Sequence, residues 1–149
     1  LARAAFDGRL KRNFQGFTDD QSEVLIGLGA SSISSFPQLL AQNEKNSGRY
    51  RMLSSQGLLS AGRGVARSAD DRYRGAVIEQ LLCQGRARLG ACLMHEASGR
   101  LRPFLDRGLA SIDRQWLEIL PEGLPYARSI AAIFDAYRPV SARRFSSAV

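Results

Sequence analysis

The chain has 149 residues, with 21 basic and 14 acidic side chains and a formal net charge of +7. That length suits one ordinary domain or a piece of a larger protein. No stretch approaches the roughly 18 apolar residues of a membrane span, and the N-terminus lacks the charged, apolar and small-residue order of a secretory signal.

The two cysteines, Cys83 and Cys92, are too few for a disulfide scaffold and form no C-x-x-C pair. Each is expected to be a small buried apolar residue, and the compartment is expected to be the reducing cytoplasm. The sequence begins at Leu1 and reads as mid-protein from its first residues, so a truncated or processed N-terminus is expected. Basic residues outnumber acidic ones 8 to 5 up to Val65 and 13 to 9 beyond it, which is too even for a nucleic-acid tail. Nearly all of the cations are arginines, the side chain that grips carboxylates and phosphates with two parallel hydrogen bonds.

In chain order, Ala2, Ala4 and Ala5 are strong helix formers and Gly8 is a stop, so Leu1 to Leu10 reads as the end of a helix. A polar stretch runs from Lys11 to Gln21. Val24 to Leu28 is a short apolar run closed by Gly27, Gly29 and small residues through Ser35. That is the pattern of a buried strand with a closely packed exit loop. Pro37 is expected to open a helix containing Leu39, Leu40 and Gln42, broken at Asn46 to Gly48. Ser54 to Gly64 reads as a Ser/Gly connector, which places a domain boundary near Val65 and divides the chain into residues 1–65 and 66–149.

Ser68 and Asp71 form an S-x-x-D capping signal. The helix after them carries Val77, Ile78, Leu81 and Leu82 on one face. A second helix is predicted from Leu93 to about Leu105, ending near Gly108. Leu109 to Ile112 and Gln115 to Leu120 read as two strands joined by a tight turn at Asp113-Arg114. Pro121 to Pro125 is a turn. A last helix starts near Tyr126, with Ile130, Ile133, Phe134 and Tyr137 at helical spacing, and Pro139 ends it. Helices, a hairpin and a helix outline a small winged-helix-like unit, so the class is α+β.

No self-contained active site is visible. The single histidine, His95, has no H-E-x-x-H spacing and is expected at the surface. Gly27-Leu28-Gly29 is too short for a dinucleotide fingerprint, and the serines at 31, 32, 34 and 35 lack a nucleophile elbow. No metal site and no catalytic residue is predicted within the chain. The glycine-rich strand exit is the best local candidate, because small side chains leave its backbone groups accessible and Ile33 could pack on a flat ring. A tightly packed structural loop explains the same residues.

Arg12-Asn13-Phe14-Gln15-Gly16-Phe17-Thr18 followed by Leu25-Ile26-Gly27-Leu28-Gly29-Ala30-Ser31-Ser32-Ile33-Ser34 resembles the RNFQGYT…LLGLGxSxIS stretch of oxygen-independent coproporphyrinogen III oxidases. The resemblance continues at Ala41-Gln42-Asn43 and Tyr50. It reappears at Ala69-Asp70-Asp71-Arg72, Val77-Ile78 and Leu82-Cys83, and closes at Ile133-Phe134-Asp135-Ala136-Tyr137 and Arg144 to Val149. Gln84-Gly85-Arg86-Ala87 and the region from Gly90 to Leu109 depart from the family pattern.

The resemblance implies the C-terminal portion of a radical-SAM oxidoreductase. Residues 1–65 would be the end of an incomplete (β/α) barrel, and 66–149 a mostly helical, winged-helix-like domain over the active-site mouth. It implies two S-adenosylmethionine molecules per intact enzyme and a [4Fe–4S] cluster held by a C-x-x-x-C-x-x-C motif in the missing N-terminal part. The substrate implied is coproporphyrinogen III, whose two propionates become vinyls in protoporphyrinogen IX. Carried over by position, Ile33, Gln15 and Phe14 would contact the second S-adenosylmethionine. Without cluster cysteines the fragment alone should be inactive. The resemblance further implies a cytoplasmic monomer with an undetermined electron donor and neither nucleic-acid nor membrane partners.

Three alternatives compete, one of them a degenerate relative kept only as an interaction domain. A haem-chaperone relative would carry N-x-x-Y-W and a G-x-G-A-H loop where this chain has Asn13-Phe14-Gln15-Gly16 and Gly29-Ala30-Ser31-Ser32. A basic winged-helix nucleic-acid-binding module would concentrate arginines on a recognition helix and wing, whereas this hairpin carries Asp113, Arg114 and Glu118.

Overall fold

The structure, a computed structural model, describes residues 1–138. The expected helix stop at Pro139 and the family-like ending from Arg144 lie outside them. Helix α1 (Ala2–Phe6) stops where Gly8 turns the chain at φ +69°. The polar stretch then folds into a hairpin of β1 (Lys11–Asn13) and β2 (Gly16–Thr18). Asn13 closes it: its Oδ1 accepts from the Gln15 N–H at 2.8 Å and the Gly16 N–H at 3.1 Å. An Asx contact of this kind makes a turn from a polar sequence with no strand propensity.

Three expectations fail in this half. The segment after Pro37 is a strand, since β3 (Ile33–Phe36) and β4 (Leu39–Asn43) pair antiparallel with Phe36 opposite Leu39. Proline's fixed φ serves the second position of a β-turn as well as the first turn of a helix. Strand pairing decides between them, and Pro37-Gln38 is the turn. The Ser/Gly connector is also ordered. Helix α2 (Ser47–Ser55) is capped by Asn46 Oδ1, which accepts from the Arg49 N–H at 2.9 Å. Strand β5 (Ala61–Ala66) pairs with the other edge of β4 and runs through Val65. Its glycines hide the strand from propensity, yet Gly64 lets it lie against Leu39, whose Cδ1 a Cβ would meet at 3.3 Å.

The third failure is the buried strand at Val24 to Leu28. Only Leu25 joins the sheet, exchanging bonds of 2.9 and 2.8 Å with Ser35, while Val24, Ile26 and Leu28 stand exposed. The run lies at the sheet edge, and no neighbouring strand among the described residues covers its alternate side chains.

The second half follows the sequence closely. Helix α3 (Ala69–Gln84) starts in a full capping box: Ser68 Oγ accepts from the Asp71 N–H at 3.1 Å, and Asp71 Oδ2 accepts from the Ser68 N–H at 2.8 Å. Gly85 ends it at φ +72°. Strand β6 (Arg86–Arg88), helix α4 (Ala91–Leu105), strand β7 (Ala110–Asp113) and strand β8 (Trp116–Ile119) follow. The sheet order is β6-β8-β7, all antiparallel. The turn is Arg114-Gln115, one residue beyond the expected pair, with Arg114 at φ +54°.

The predicted final helix is broken into a 3-10 turn (Pro121–Tyr126), α5 (Ala127–Ala131) and a second 3-10 turn (Ala132–Phe134). Asp135 is extended, and its Oδ1 accepts from the Tyr137 N–H at 2.9 Å, which ends the helix before Tyr137. Ile130, Ile133 and Phe134 nevertheless share the buried side, as their spacing requires.

The contiguous hydrophobic cluster lies wholly in this half. Val77 and Leu81 of α3, Leu89, Leu93 and Leu101, Leu117 of β8, Ile130 and Phe134 form one contiguous cluster. Cys83 is buried as expected, but Cys92 is exposed on α4, away from the apolar stripe of Leu93, Ala97 and Leu101. Arg74 ties the two long helices together: its Nε donates to Asp70 at 2.6 Å and its two terminal nitrogens donate to Glu96 at 3.0 and 2.6 Å.

Two outcomes follow for stability. Truncating the fully buried Phe134 to alanine should cost about 3–5 kcal/mol in denaturant unfolding. Arg74 hydrogen bonds hold the Glu96 carboxyl below its ordinary range. Glu96 therefore adds stability above the ordinary carboxylate range and loses it as pH falls through that range and below. Arg74→Gln should flatten this acid dependence, measured as Tm against pH.

Candidate functional site

A cleft of about 690 Å³ opens between the β1–β2 hairpin, the edge segment around Leu25, the β3–β4 turn and α3. Its apolar wall includes Phe14, Leu25, Pro37, Leu40, Ile78 and Leu82, and Lys11, Arg12, Arg67 and Arg72 bring positive charge to it. Asp20, Glu23 and Glu79 also line it. Glu79 is committed locally, for its Oε1 accepts from the Arg12 N–H at 3.0 Å and fastens the hairpin to α3. Gln84 adds a second tie, donating to the Gly8 carbonyl at 3.2 Å. The Arg12 guanidinium lies 5.6 Å from the centre of the Phe17 ring.

The glycine-rich exit loop begins where the Leu25–Ser35 bridge ends. Gly27 presses on Ile33 so closely that a Cβ would stand 2.7 to 2.9 Å from the Ile33 backbone O, C and N. Ser34 Oγ accepts from the Gly27 N–H at 3.0 Å. Asn43 Nδ2 lies 3.0 Å from the Gly27 carbonyl, 3.0 Å from the Gly29 carbonyl and 3.1 Å from Ser32 Oγ. The Tyr50 hydroxyl accepts from the Gly29 N–H at 3.0 Å. Gly29 at φ +105° and Ser31 at φ +62° give the loop its sharp path.

The predicted site residues fall in two places. Phe14 and Gln15 are exposed at the tip of the β1–β2 hairpin, and Phe14 lines the cleft. Ile33 is half-buried at the start of β3, against the loop. Neither Gln15 nor Ile33 lines the cleft. Reasoning from residue types missed Asn43, Tyr50 and Ser34 as the loop's anchors. Their only signal was the family-like Gln42-Asn43 followed by a tyrosine. His95 is exposed on α4. Burial pushes the Cys83 thiol up, and Glu79 adds to the shift, as suits a packed thiol rather than a reactive one.

No protein-family model matches the chain. It is 44% identical over 145 residues to the oxygen-independent coproporphyrinogen III oxidase of Cereibacter sphaeroides, covering 92% of this chain and 32% of that protein. Against the enzyme of the same name from Pseudomonas aeruginosa it is 35% identical over 160 residues, covering 100% of this chain and 35% of that protein. The solved coproporphyrinogen III oxidase of Escherichia coli, a radical SAM enzyme, superposes with a TM-score of 0.83 at 32% identity, over 92% of this chain and 34% of that one. Its relatives are the oxygen-independent coproporphyrinogen III oxidases. The chain spans about a third of the length of these relatives.

A radical SAM coproporphyrinogen III oxidase uses S-adenosylmethionine and an iron–sulfur cluster, and the residues present fit the two unequally. The peptide groups of Ile26 and Leu28, which make no hydrogen bond among the described residues, and the half-buried Ile33 suit an adenine ring or a methionyl group. The cluster does not fit: three cysteine ligands are needed, and the chain has only a buried Cys83 and an exposed Cys92. Among the described residues no three of His, Cys, Asp and Glu gather as a metal site, and no helix is long and apolar enough to cross a membrane.

The close approach at Gly27 is directly testable. Gly27→Ala should cost about 1–3 kcal/mol, because the Ile33 backbone must move aside. Gly99→Ala, whose Cβ would meet nothing within 4 Å on α4, should instead raise stability by about 0.5–1 kcal/mol. Paired thermal melts of the two variants check the opposite signs.

Proposed function

We propose that this chain is the C-terminal portion of a radical-SAM coproporphyrinogen III oxidase of cytoplasmic haem synthesis. Residues 1–65 are read as the end of its incomplete barrel and 66–149 as a winged-helix-like domain. The observation that carries the reading is similarity to coproporphyrinogen III oxidases along nearly the whole chain, with the same backbone arrangement in a solved member.

When bound in the intact protein, S-adenosylmethionine and the cluster would supply the radical chemistry by which each of two propionates loses one hydrogen atom, one CO₂ and one electron, the electron passing to an acceptor outside this chain, and so becomes a vinyl. This chain's residues do the holding. Ile33 gives an apolar face to one S-adenosylmethionine, and Phe14 and Gln15 on the hairpin tip approach the same molecule, Gln15 through its amide. The cleft suits a flat, largely apolar macrocycle with carboxylate arms: Leu25, Ile78 and Leu82 pack on it, while Arg67 and Arg72 meet its anionic side chains. The cluster is held by cysteines outside this chain, so the chain alone forms no radical.

The test is an anaerobic assay of the intact protein with reconstituted cluster, S-adenosylmethionine and coproporphyrinogen III. Protoporphyrinogen IX is expected, and this chain alone should gain no cluster absorbance when treated with iron and sulfide. Haem binding without loss of CO₂ would favour the chaperone-type relative and overturn the reading.

A further inference from the structure

We propose that Asn43 and Tyr50 are positioning residues that set the path of the Gly27–Ser32 loop for S-adenosylmethionine. The proposal rests on the reading above, in which this loop and Ile33 bind that cofactor. The backbone ladder between the edge run and β3 stops after Leu25 and Ser35. Beyond that point a strand would ordinarily continue to spend its inward N–H and C=O groups on its neighbour. Here side chains replace the neighbour. Ser34 takes the Gly27 N–H, Tyr50 takes the Gly29 N–H, and Asn43 reaches both the Gly27 and Gly29 carbonyls at 3.0 Å.

Every inward-facing peptide group of the two glycines is thus bound by a side chain from β3, β4 or α2. The alternate groups of Ile26 and Leu28 have no hydrogen-bond partner among the described residues. One edge of the loop is saturated and the other is open, as a loop that lends its backbone to a ligand requires.

Asn43 suits this role because a primary amide presents two donors to two carbonyls. The Asn43 backbone N–H also donates to the Ser32 carbonyl at 2.9 Å, so both ends of the tight turn are anchored on one residue. Gly27 in turn abuts the Ile33 backbone. A change at Asn43 therefore shifts the loop and Ile33 together, although Asn43 itself need not touch the cofactor. Aspartate has the same shape but no amide donor, and as a carboxylate it would face two carbonyl oxygens.

The experiment uses the intact protein and reads KM for S-adenosylmethionine, kcat and Tm for Asn43→Asp, Tyr50→Phe and Ile33→Ala. Leu101→Ala, in the distant core, serves as a control for destabilisation alone. Asn43→Asp should raise KM about tenfold and Tyr50→Phe about threefold to fivefold, as loss of one or two positioning hydrogen bonds predicts, with kcat changed far less. Leu101→Ala should lower Tm and leave KM unchanged. If Ile33→Ala raises KM but Asn43→Asp and Tyr50→Phe lower only Tm, the positioning role is overturned and the cofactor reading stands. If Ile33→Ala does not move KM either, the cofactor reading fails and this proposal with it. Should Asn43→Asp not fold, Tyr50→Phe, which removes a single hydroxyl, decides the matter alone.

Discussion

The burial of Val77 and Leu81 against β6, α5 and Phe134 is the constraint from which the rest of the structure hangs. It fixes the roll of α3 about its own axis. Once those two residues face the core, Ile78 and Leu82, one position further round, and Glu79, two beyond Val77, face the β1–β2 hairpin. Ile78 and Leu82 become a wall of the cleft, and Glu79 reaches the Arg12 N–H. One helix therefore carries a core on one side and a candidate site on the other. The site inherits its rigidity from the core, because the wall cannot rotate without exposing Val77 and Leu81 to water.

The two halves are held by different physics. Beyond Ser68 the fold is secured by apolar burial, which is non-directional and tolerant of small changes. Before it, Ala4 is the one buried apolar side chain, and order rests on strand pairing and on directed bonds from Asn13, Ser34, Asn43, Asn46 and Tyr50. Hydrogen bonds of this kind each add only about 1 kcal/mol net, so this half is specified in shape more strongly than it is stabilised. Val24, Ile26 and Leu28, at alternate positions of the edge run, are all exposed.

What could be read from the sequence follows the same division. The capping box at Ser68, the stripe on α3, the α4 helix and the β7–β8 hairpin were legible because each depends on periodicity or local capping. The β1–β2 hairpin, β4 and β5 were not. Their pairing is set by partners elsewhere in the chain, and glycine, proline and polar residues carry no strand signal. The helix expected after Pro37 shows the ambiguity plainly, since one φ value suits two structures and only Phe36 opposite Leu39 resolves it. In the candidate site, Phe14 and Gln15 came from resemblance alone, whereas Ile33 was also marked by the small residues before it. Asn43 was invisible as an anchor because nothing local shows that its amide reaches back 14 and 16 residues to the Gly29 and Gly27 carbonyls.

The arginines show why composition decided so little. Among the described residues, Arg74 is engaged by Asp70 and Glu96 within the fold, and Arg86 lies 5.6 Å from the Trp116 ring. Arg12 leans on Phe17, and its backbone, not its guanidinium, ties the hairpin to Glu79. A net charge of +7 therefore does not act as one field, because individual cations are spent on helix ties and ring contacts. Arg67 and Arg72 line the cleft beside an apolar wall, as Arg12 does. Arg67 is half-buried there while Arg72 is exposed, and a half-buried guanidinium meets a carboxylate more strongly than one on an open surface. The placement of individual arginines, rather than the total of the charge, is what brings positive charge to this cleft.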